Sequence, residues 1–311
     1  MNYSALRIPH SALKMHLHPV LRFIYLLLRS VSWLGISVFY RRRIVIGREH
    51  LSFEGPAIIV VNHPSTLMDV LNTCVHVRQE SFFLANYGLF KHPVSRWLLT
   101  RLYCIPVKRR EDVAEGEVRN NEAAFEQSFQ HLEKKGLLFI AAEGVSYMER
   151  WVRPFKTGAA RIGFGAEARN SWQLDVKILP VGLSYNAANL FRNEVIVHYG
   201  APIDVADWMA AEAKNHEQAV DDLTCHIQEQ VRSLVLDTRN AEGQAFIEKL
   251  ETVFQSEFPA DAPVYFAFRK KLIENNIDNE ELRQKVSAYF EKLDETKITD
   301  AGIQQLNESG A

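Results

Sequence analysis

Ala57-Ile58-Ile59-Val60-Val61-Asn62-His63-Pro64-Ser65-Thr66-Leu67-Met68-Asp69 is the stretch from which the fold can be read. Gly55-Pro56 breaks the chain just before it, and five consecutive apolar residues after a breaker read as a buried strand. Pro64 and Ser65 stop that strand. Either can open the next helix, Ser65 as a cap or Pro64 in the first turn. His63 is therefore expected at the exit of a central strand, with Asp69 inside the following helix. Six residues along one continuous helix would turn the two side chains well apart, at about 100° per residue. Only a bend between them brings imidazole and carboxylate together, and this stretch supplies one. Such a pair is the minimum for taking a proton from a hydroxyl: the imidazole titrates near neutrality and the acid fixes its tautomer. The competing reading is that His63 ends a strand and Asp69 caps a helix.

The remaining pattern supplies the sheet around that strand. Ser81 to Ala85, Tyr103 to Val107, Leu137 to Ala142, Asp175 to Tyr185 and Glu194 to Tyr199 read as strands. Leu89 to Leu102, Glu117 to Lys135 and Gly158 to Ala168 read as helices between them. Strands alternating with helices predict an α/β fold, with a central, mostly parallel or mixed sheet flanked by helices. Beyond Asp204 the pattern is helical, with breaks at Asn240, Pro259 and Asp278. Three segments follow: an N-terminal membrane-interface helical segment (1–43), an α/β domain (44–205) and a helical C-terminal extension (206–311).

The 311 residues carry a net charge of −2, which argues against bulk nucleic-acid binding. The distribution is uneven. Arg7, Lys14, Arg22, Arg29, Arg41, Arg42, Arg43 and Arg48 stand against the single acid Glu49 in the first fifty residues, which suggests a local anionic partner such as a lipid surface. Pro19 to Tyr40 is strongly apolar but interrupted by Arg22 and Arg29, which fall on nearly one helix face. Each Arg at a bilayer centre costs ~2.5–3.5 kcal/mol. A helix lying in the interface avoids that cost, with Arg22 and Arg29 toward headgroups and Phe23, Leu27 and Trp33 among the contacts. Arg41 to Arg43 would reinforce the attachment. The charge-free run Ser30 to Tyr40 is short of the ~20 residues a span needs. Cys74, Cys104 and Cys225 show no pairing pattern and read as buried thiols in a reducing compartment; no secretory signal is apparent.

Other strand ends carry polar groups. Lys108-Arg109-Arg110 follows one strand and suits a phosphate monoester, because charge-assisted bonds from Arg are strong and directional. A solvated turn balanced by Glu111 and Asp112 is the alternative there. Glu143-Gly144-Val145-Ser146 follows another, with Lys156 and Thr157 placed to meet an anion at the mouth of the next helix. Val176 to Val181 reads as a packing strand. Gly144-Val145-Ser146 and Gly182-Leu183-Ser184 both lack the final glycine of a serine-hydrolase elbow. Gly163 to Ala168 fits a loose dinucleotide fingerprint but falls inside a predicted helix. No metal-ligand cluster is visible.

The blocks Asn62–Asp69, Ile105–Arg109, Glu143–Ser146 and Val176–Val181 stand in an order and spacing that resembles the glycerolipid acyltransferase superfamily, from roughly residue 20 to 205. Two departures are that five residues separate His63 from Asp69, and that Ala141-Ala142 replaces the usual Phe-Pro before Glu143. The resemblance implies an O-acyltransferase moving an acyl group from a thioester, acyl-CoA or acyl-carrier protein, to a lysophospholipid such as lysophosphatidic acid, or to glycerol-3-phosphate. It implies His63 as general base, Asp69 as its orienting acid, and no bound cofactor or metal. It places Asn62, Lys108, Arg109, Glu143, Gly144, Ser146, Lys156 and Thr157 around the acceptor. Membrane lipids are the expected partners, at the cytoplasmic face of a membrane in peripheral or monotopic attachment. The non-enzyme alternative is a lipid-binding module on the same scaffold.

Overall fold

The computed structural model describes residues 19–52, 55–101, 103–109, 112, 120–296 and 300. The chain forms two compact units, Met1–Tyr147 with Arg153–Leu234, and Met148–Val152 with Val235–Ala311. In the first unit the elements run α1 (Pro19–Phe39), β1 (Arg42–Ile46), β2 (Ala57–Val61), α2 (Leu67–Cys74), β3 (Ser81–Asn86), α3 (Pro93–Arg101) and β4 (Cys104–Val107). They continue through α4 (Glu122–Glu133), β5 (Leu137–Ala141), α5 (Gly158–Arg169), β6 (Lys177–Tyr185), β7 (Glu194–Tyr199), β8 (Ile203–Asp204), α6 (Met209–Lys214) and α7 (His216–Ser233).

The strands form one sheet in the order β1-β7-β6-β2-β5-β3-β4, with β8 paired to β6. Strands β6, β2, β5, β3 and β4 are mutually parallel, while β7 and β1 run the other way. The α/β expectation holds. All five β2 side chains are fully buried, which is why that strand reads as unbroken apolar sequence rather than alternation: helices cover both faces. Ala57, Ile59 and Val61 join the core beneath α1, whereas Ile58 and Val60 point to the opposite face. Burying each Ile or Val is worth about 1.5–3 kcal/mol.

Several sequence expectations change. Arg42 and Arg43 belong to strand β1, paired with β7, a strand the sequence reading did not mark. A strand of three apolar residues after three arginines is tolerated because it is an edge, where charge is the usual protection against further pairing. Helix α2 opens at Leu67 with no side-chain cap, so neither Pro64 nor Ser65 starts it. Helix α4 begins at Glu122; the expected start, residues 117–119, lies outside the described residues. So do Arg7, Lys14, Arg110 and Glu111.

Helix α1 turns Arg29, half-buried, toward the α2–β3 connection, while Arg22 stays mostly exposed. Arg29 Nε donates to the Val75 carbonyl (3.2 Å), Arg22 lies 3.5 Å from Glu80, and Tyr25 accepts the Ser81 N–H (3.2 Å). Ile36 and Tyr40 complete the seam in the core. Arg29 is thus bonded to the α2–β3 connection, and Arg22 stands exposed beside Glu80. Phe23, Leu27, Val31, Trp33, Leu34 and Val38 are all more than half exposed.

Helices α6 and α7, which the division at 205 assigns to the C-terminal extension, lie within the sheet's compact unit. The chain leaving α7 crosses β6 so closely that a Cβ on Gly182 would collide with the Leu234 carbonyl, so only glycine fits there. The second unit contains α8 (Ala241–Val253), α9 (Ala262–Asn276) and α10 (Glu280–Thr296). Asn240, read as a break, caps α8 through the Gly243 N–H (2.8 Å). Its core holds an ionic cluster. Arg150 meets Glu251 in a two-pronged pair (2.9 and 3.0 Å), and Arg269 reaches the same carboxylate (2.8 and 2.9 Å) and Tyr265. Burial disfavours a charged Glu251, but the two guanidiniums outweigh it and hold its pKa below the usual range.

Candidate active site

The parallel strands end on one edge of the sheet, the place where open α/β sheets bind their ligands. His63 leaves β2 there. The loop Pro64–Thr66 turns back sharply, with Thr66 at φ 46° and ψ −106°, a conformation costly for a β-branched residue. That turn carries Asp69 under the imidazole: His63 Nδ1 lies 2.9 Å from Asp69 Oδ2. The bend lies between the strand and the helix, so the six-residue separation that would part them on one helix brings them together. Asp69 is fully buried and also accepts the Ser65 N–H (2.8 Å) and the Tyr185 hydroxyl (2.8 Å). Burial pushes its carboxyl up from the ordinary range, opposed by His63, Ser65 and Tyr185. An acceptor at Nδ1 selects the tautomer that leaves Nε2 a free base.

Tyr185 is a site residue that the sequence reading missed. It ends β6, 116 residues from Asp69, and nothing local marks it. Only the parallel pairing of β6 with β2 brings it over the carboxylate. Burial and the Asp69 charge keep its phenol well above the ordinary pKa.

Glu143 follows β5, the immediate neighbour of β2. It is buried, accepts the Arg153 N–H (3.3 Å) and is bonded by the His63 backbone N–H. Burial, only partly offset by those bonds, raises its pKa to about 7, so both forms are populated near neutrality. Gly144 adopts φ +77°, and Lys156 packs against it, with Cγ 3.5 Å from where a Cβ would stand. Ser146 Oγ accepts the Thr66 N–H (3.0 Å), pinning the strained turn after β2 to the loop after β5.

Other expected contacts resolve differently. Asn62 is buried with both amide groups bonded to Leu183, accepting its N–H (2.8 Å) and donating to its carbonyl (2.9 Å). These bonds extend the β2–β6 ladder. Thr157 Oγ1 accepts from Arg161 (3.1 Å), so its hydroxyl is turned along α5. Lys108 and Arg109 stand on the same edge, at the end of β4, three strands from β2 and thus ~14 Å away at the backbone. Lys108 exchanges main-chain bonds with Asn121, and its ammonium lies 5.3 Å over the Tyr87 ring. Asp112 bonds the Arg109 main-chain N–H (2.9 Å) and ties the turn; no described carboxylate pairs with the guanidinium.

Cys74 and Cys104 are pushed up to about 12 by burial, which removes them as nucleophiles; Cys225 is exposed rather than buried. The loose dinucleotide pattern at Gly163 to Ala168 lies within α5. Among the described residues no group of three or more His, Cys, Asp or Glu could hold a metal ion.

Residues 42–184 match the family model described as Acyltransferase. The chain is similar to glycerol-3-phosphate O-acyltransferase 1 of Saccharomyces cerevisiae, 24% identical over 148 residues covering 47% of this chain and 19% of that protein. It is also similar to the chloroplastic 1-acyl-sn-glycerol-3-phosphate acyltransferase BAT2 of Brassica napus, 27% identical over 188 residues covering 59% of this chain and 52% of the other. The alignments thus span a fifth to a half of these curated relatives. Among solved structures, the 1-acyl-sn-glycerophosphate (LPA) acyltransferase PlsC from Thermotoga maritima aligns at TM-score 0.47 and 16% identity, over 70% of this chain and 85% of that one.

Proposed function

We propose, for a chain whose residues 42–184 belong to the acyltransferase family, that it transfers a fatty acyl group from a thioester to the hydroxyl of a lysophospholipid such as lysophosphatidic acid. The observation that carries this reading is His63 held on buried Asp69 at the ligand-binding edge of the sheet. His63 Nε2 takes the hydroxyl proton as the oxygen attacks the thioester carbonyl, and the resulting imidazolium is stabilised by Asp69. The thiolate leaves as the tetrahedral centre collapses, and the proton on His63 passes to it. The donor is acyl-CoA or acyl-carrier protein. Lys108 and Arg109 hold the acceptor phosphate as cations at the far end of the same edge. Glycerol-3-phosphate is the second acceptor reading, favoured by the name of the yeast relative.

The test is lipid mass spectrometry on mixed acceptors with one isotope-labelled acyl-CoA. Labelled phosphatidic acid from lysophosphatidic acid is the expected product; labelled lysophosphatidic acid alone would favour the second reading, and no acylated lipid from either acceptor, with acyl-CoA or with the same acyl group on acyl-carrier protein, would end both. In the same assay Arg109→Ala should raise KM for the phosphate-bearing acceptor about tenfold or more, with kcat less affected, since a ground-state charge contact is lost. An equal effect on a phosphate-free acceptor would remove Arg109 from the phosphate role.

The proposed attachment is interfacial. Helix α1 is long and apolar enough to cross a membrane. Yet it packs along its length on the sheet unit, from Tyr25 at Ser81 to Phe39, whose carbonyl accepts the Arg192 N–H (2.6 Å). A helix so held lies beside its domain and offers its exposed apolar side to acyl chains. Replacing Phe23, Leu27 and Trp33 together by Ser should weaken liposome flotation by at least ~100-fold, from about 1.5–3 kcal/mol per side chain less partial insertion. Unchanged flotation would place the attachment elsewhere.

A further inference from the structure

Between β3 and β4 the chain exposes a second apolar surface that has no part in the proposed acyl transfer. Leu89, in the 3-10 turn Tyr87–Phe90, and Val94 and Trp97 on α3 are each more than half exposed. Three residues apart, Val94 and Trp97 share one side of the helix. The turn is tied to that helix: the Ser95 hydroxyl donates to the Leu89 carbonyl (2.8 Å), and Arg96 Nε donates to the Phe90 carbonyl (3.0 Å). The Arg101 guanidinium lies 4.4 Å over the Trp97 ring, so a cation and the apolar surface sit together. Lys91, Arg96 and Arg101 are all exposed, and among the described residues no carboxylate pairs with any of them.

Charge identifies the occupant. From Ser81 to Arg110 the sequence holds six Lys and Arg and no Asp or Glu. Exposed Trp, Val and Leu among cations match an anionic lipid surface, with the ring at headgroup level and the cations on the phosphates. The topology agrees. Helix α2 packs with α1, since Cys74, Val75 and Ile36 share one core cluster. The steps β2-α2-β3 and β3-α3-β4 move the same way along the strand order, so right-handed crossovers put α3 on the sheet face that α1 and α2 cover. Tyr25 of α1 meets Tyr103, just after α3, edge-on with centroids 5.4 Å apart. An acidic protein surface would match the cations, but a bilayer also extends over the exposed apolar side of α1 on that same face. We propose that α3 and the turn before it form a second membrane-contact surface, selective for anionic phospholipid, through Leu89, Val94 and Trp97 with Lys91, Arg96 and Arg101. The choice of a bilayer rests on the interfacial attachment of α1; acyl transfer is not required.

The test is flotation of the full chain with phosphatidylcholine vesicles, with or without phosphatidylglycerol. Phosphatidylglycerol should raise partitioning of the parent chain about tenfold or more, and about 0.5 M salt should remove that gain. Lys91→Gln/Arg101→Gln, at two exposed residues, should lose about tenfold of the gain while matching the parent on phosphatidylcholine alone. Val94→Ser/Trp97→Ser should bind less to both compositions. The serine variant of Phe23, Leu27 and Trp33 separates the two helices: if it floats as the parent does while the α3 variants do not, the attachment lies on α3 and the reading of α1 fails. No gain from phosphatidylglycerol, or either α3 variant floating on phosphatidylglycerol vesicles as the parent does, would overturn the surface. So would a dimer of the parent in vesicle-free solution, seen by light scattering, that Val94→Ser/Trp97→Ser abolishes without changing flotation; the occupant would then be a second copy of this chain.

Discussion

His63→Ala is expected to lower kcat for acyl transfer by about 10²–10⁴-fold, the range a positioned general base contributes. Folding should survive, because Asp69 keeps the Ser65 N–H and the Tyr185 hydroxyl after the imidazole is gone. Circular dichroism and thermal midpoint would then stay near those of the parent chain while the product signal falls. Asp69→Asn should cost a similar factor by another route: its amide can donate to Nδ1, which moves the proton to Nε2 and removes the base. Turnover of His63→Ala within about tenfold of the parent would rule out the base role.

Glu251→Ala carries the largest expected effect on stability. It leaves Arg150 and Arg269 buried without the carboxylate both of them hold, and breaking such a cluster by removing one partner costs about 3–5 kcal/mol. Glu251→Gln keeps the shape and one acceptor and should cost less. Urea titration read by hydrogen exchange in α8 and α9 would resolve the second unit from the sheet, since a chain of two units need not unfold in one step. An unchanged α8 transition in Glu251→Ala would show that the cluster contributes nothing net.

The sheet was legible because β2 and its successors are apolar runs bounded by breakers, a signal that needs no tertiary information. The His63–Asp69 pairing was legible for the same local reason, a turn between strand and helix. What escaped was set by distance along the chain. Tyr185 reaches Asp69 only through β6, and Asn62 bonds Leu183 because β6 lies beside β2. Strand β1 was hidden by its arginines, since an edge strand can carry charge without losing its partner. The stripe of Arg22 and Arg29 was seen as a stripe, but a stripe does not say which neighbour it faces; for Arg29 the Val75 carbonyl decides that.

Residues 148–152 belong to the second unit although they interrupt the loop that carries Glu143 and Lys156. During synthesis this has a consequence in time. Arg150 leaves the ribosome 101 residues ahead of Glu251, a wait of about 5–20 s at ordinary elongation rates. For that interval the nascent chain carries a tethered cation whose partner does not yet exist, so the order of translation leaves this loop among the last segments to be anchored.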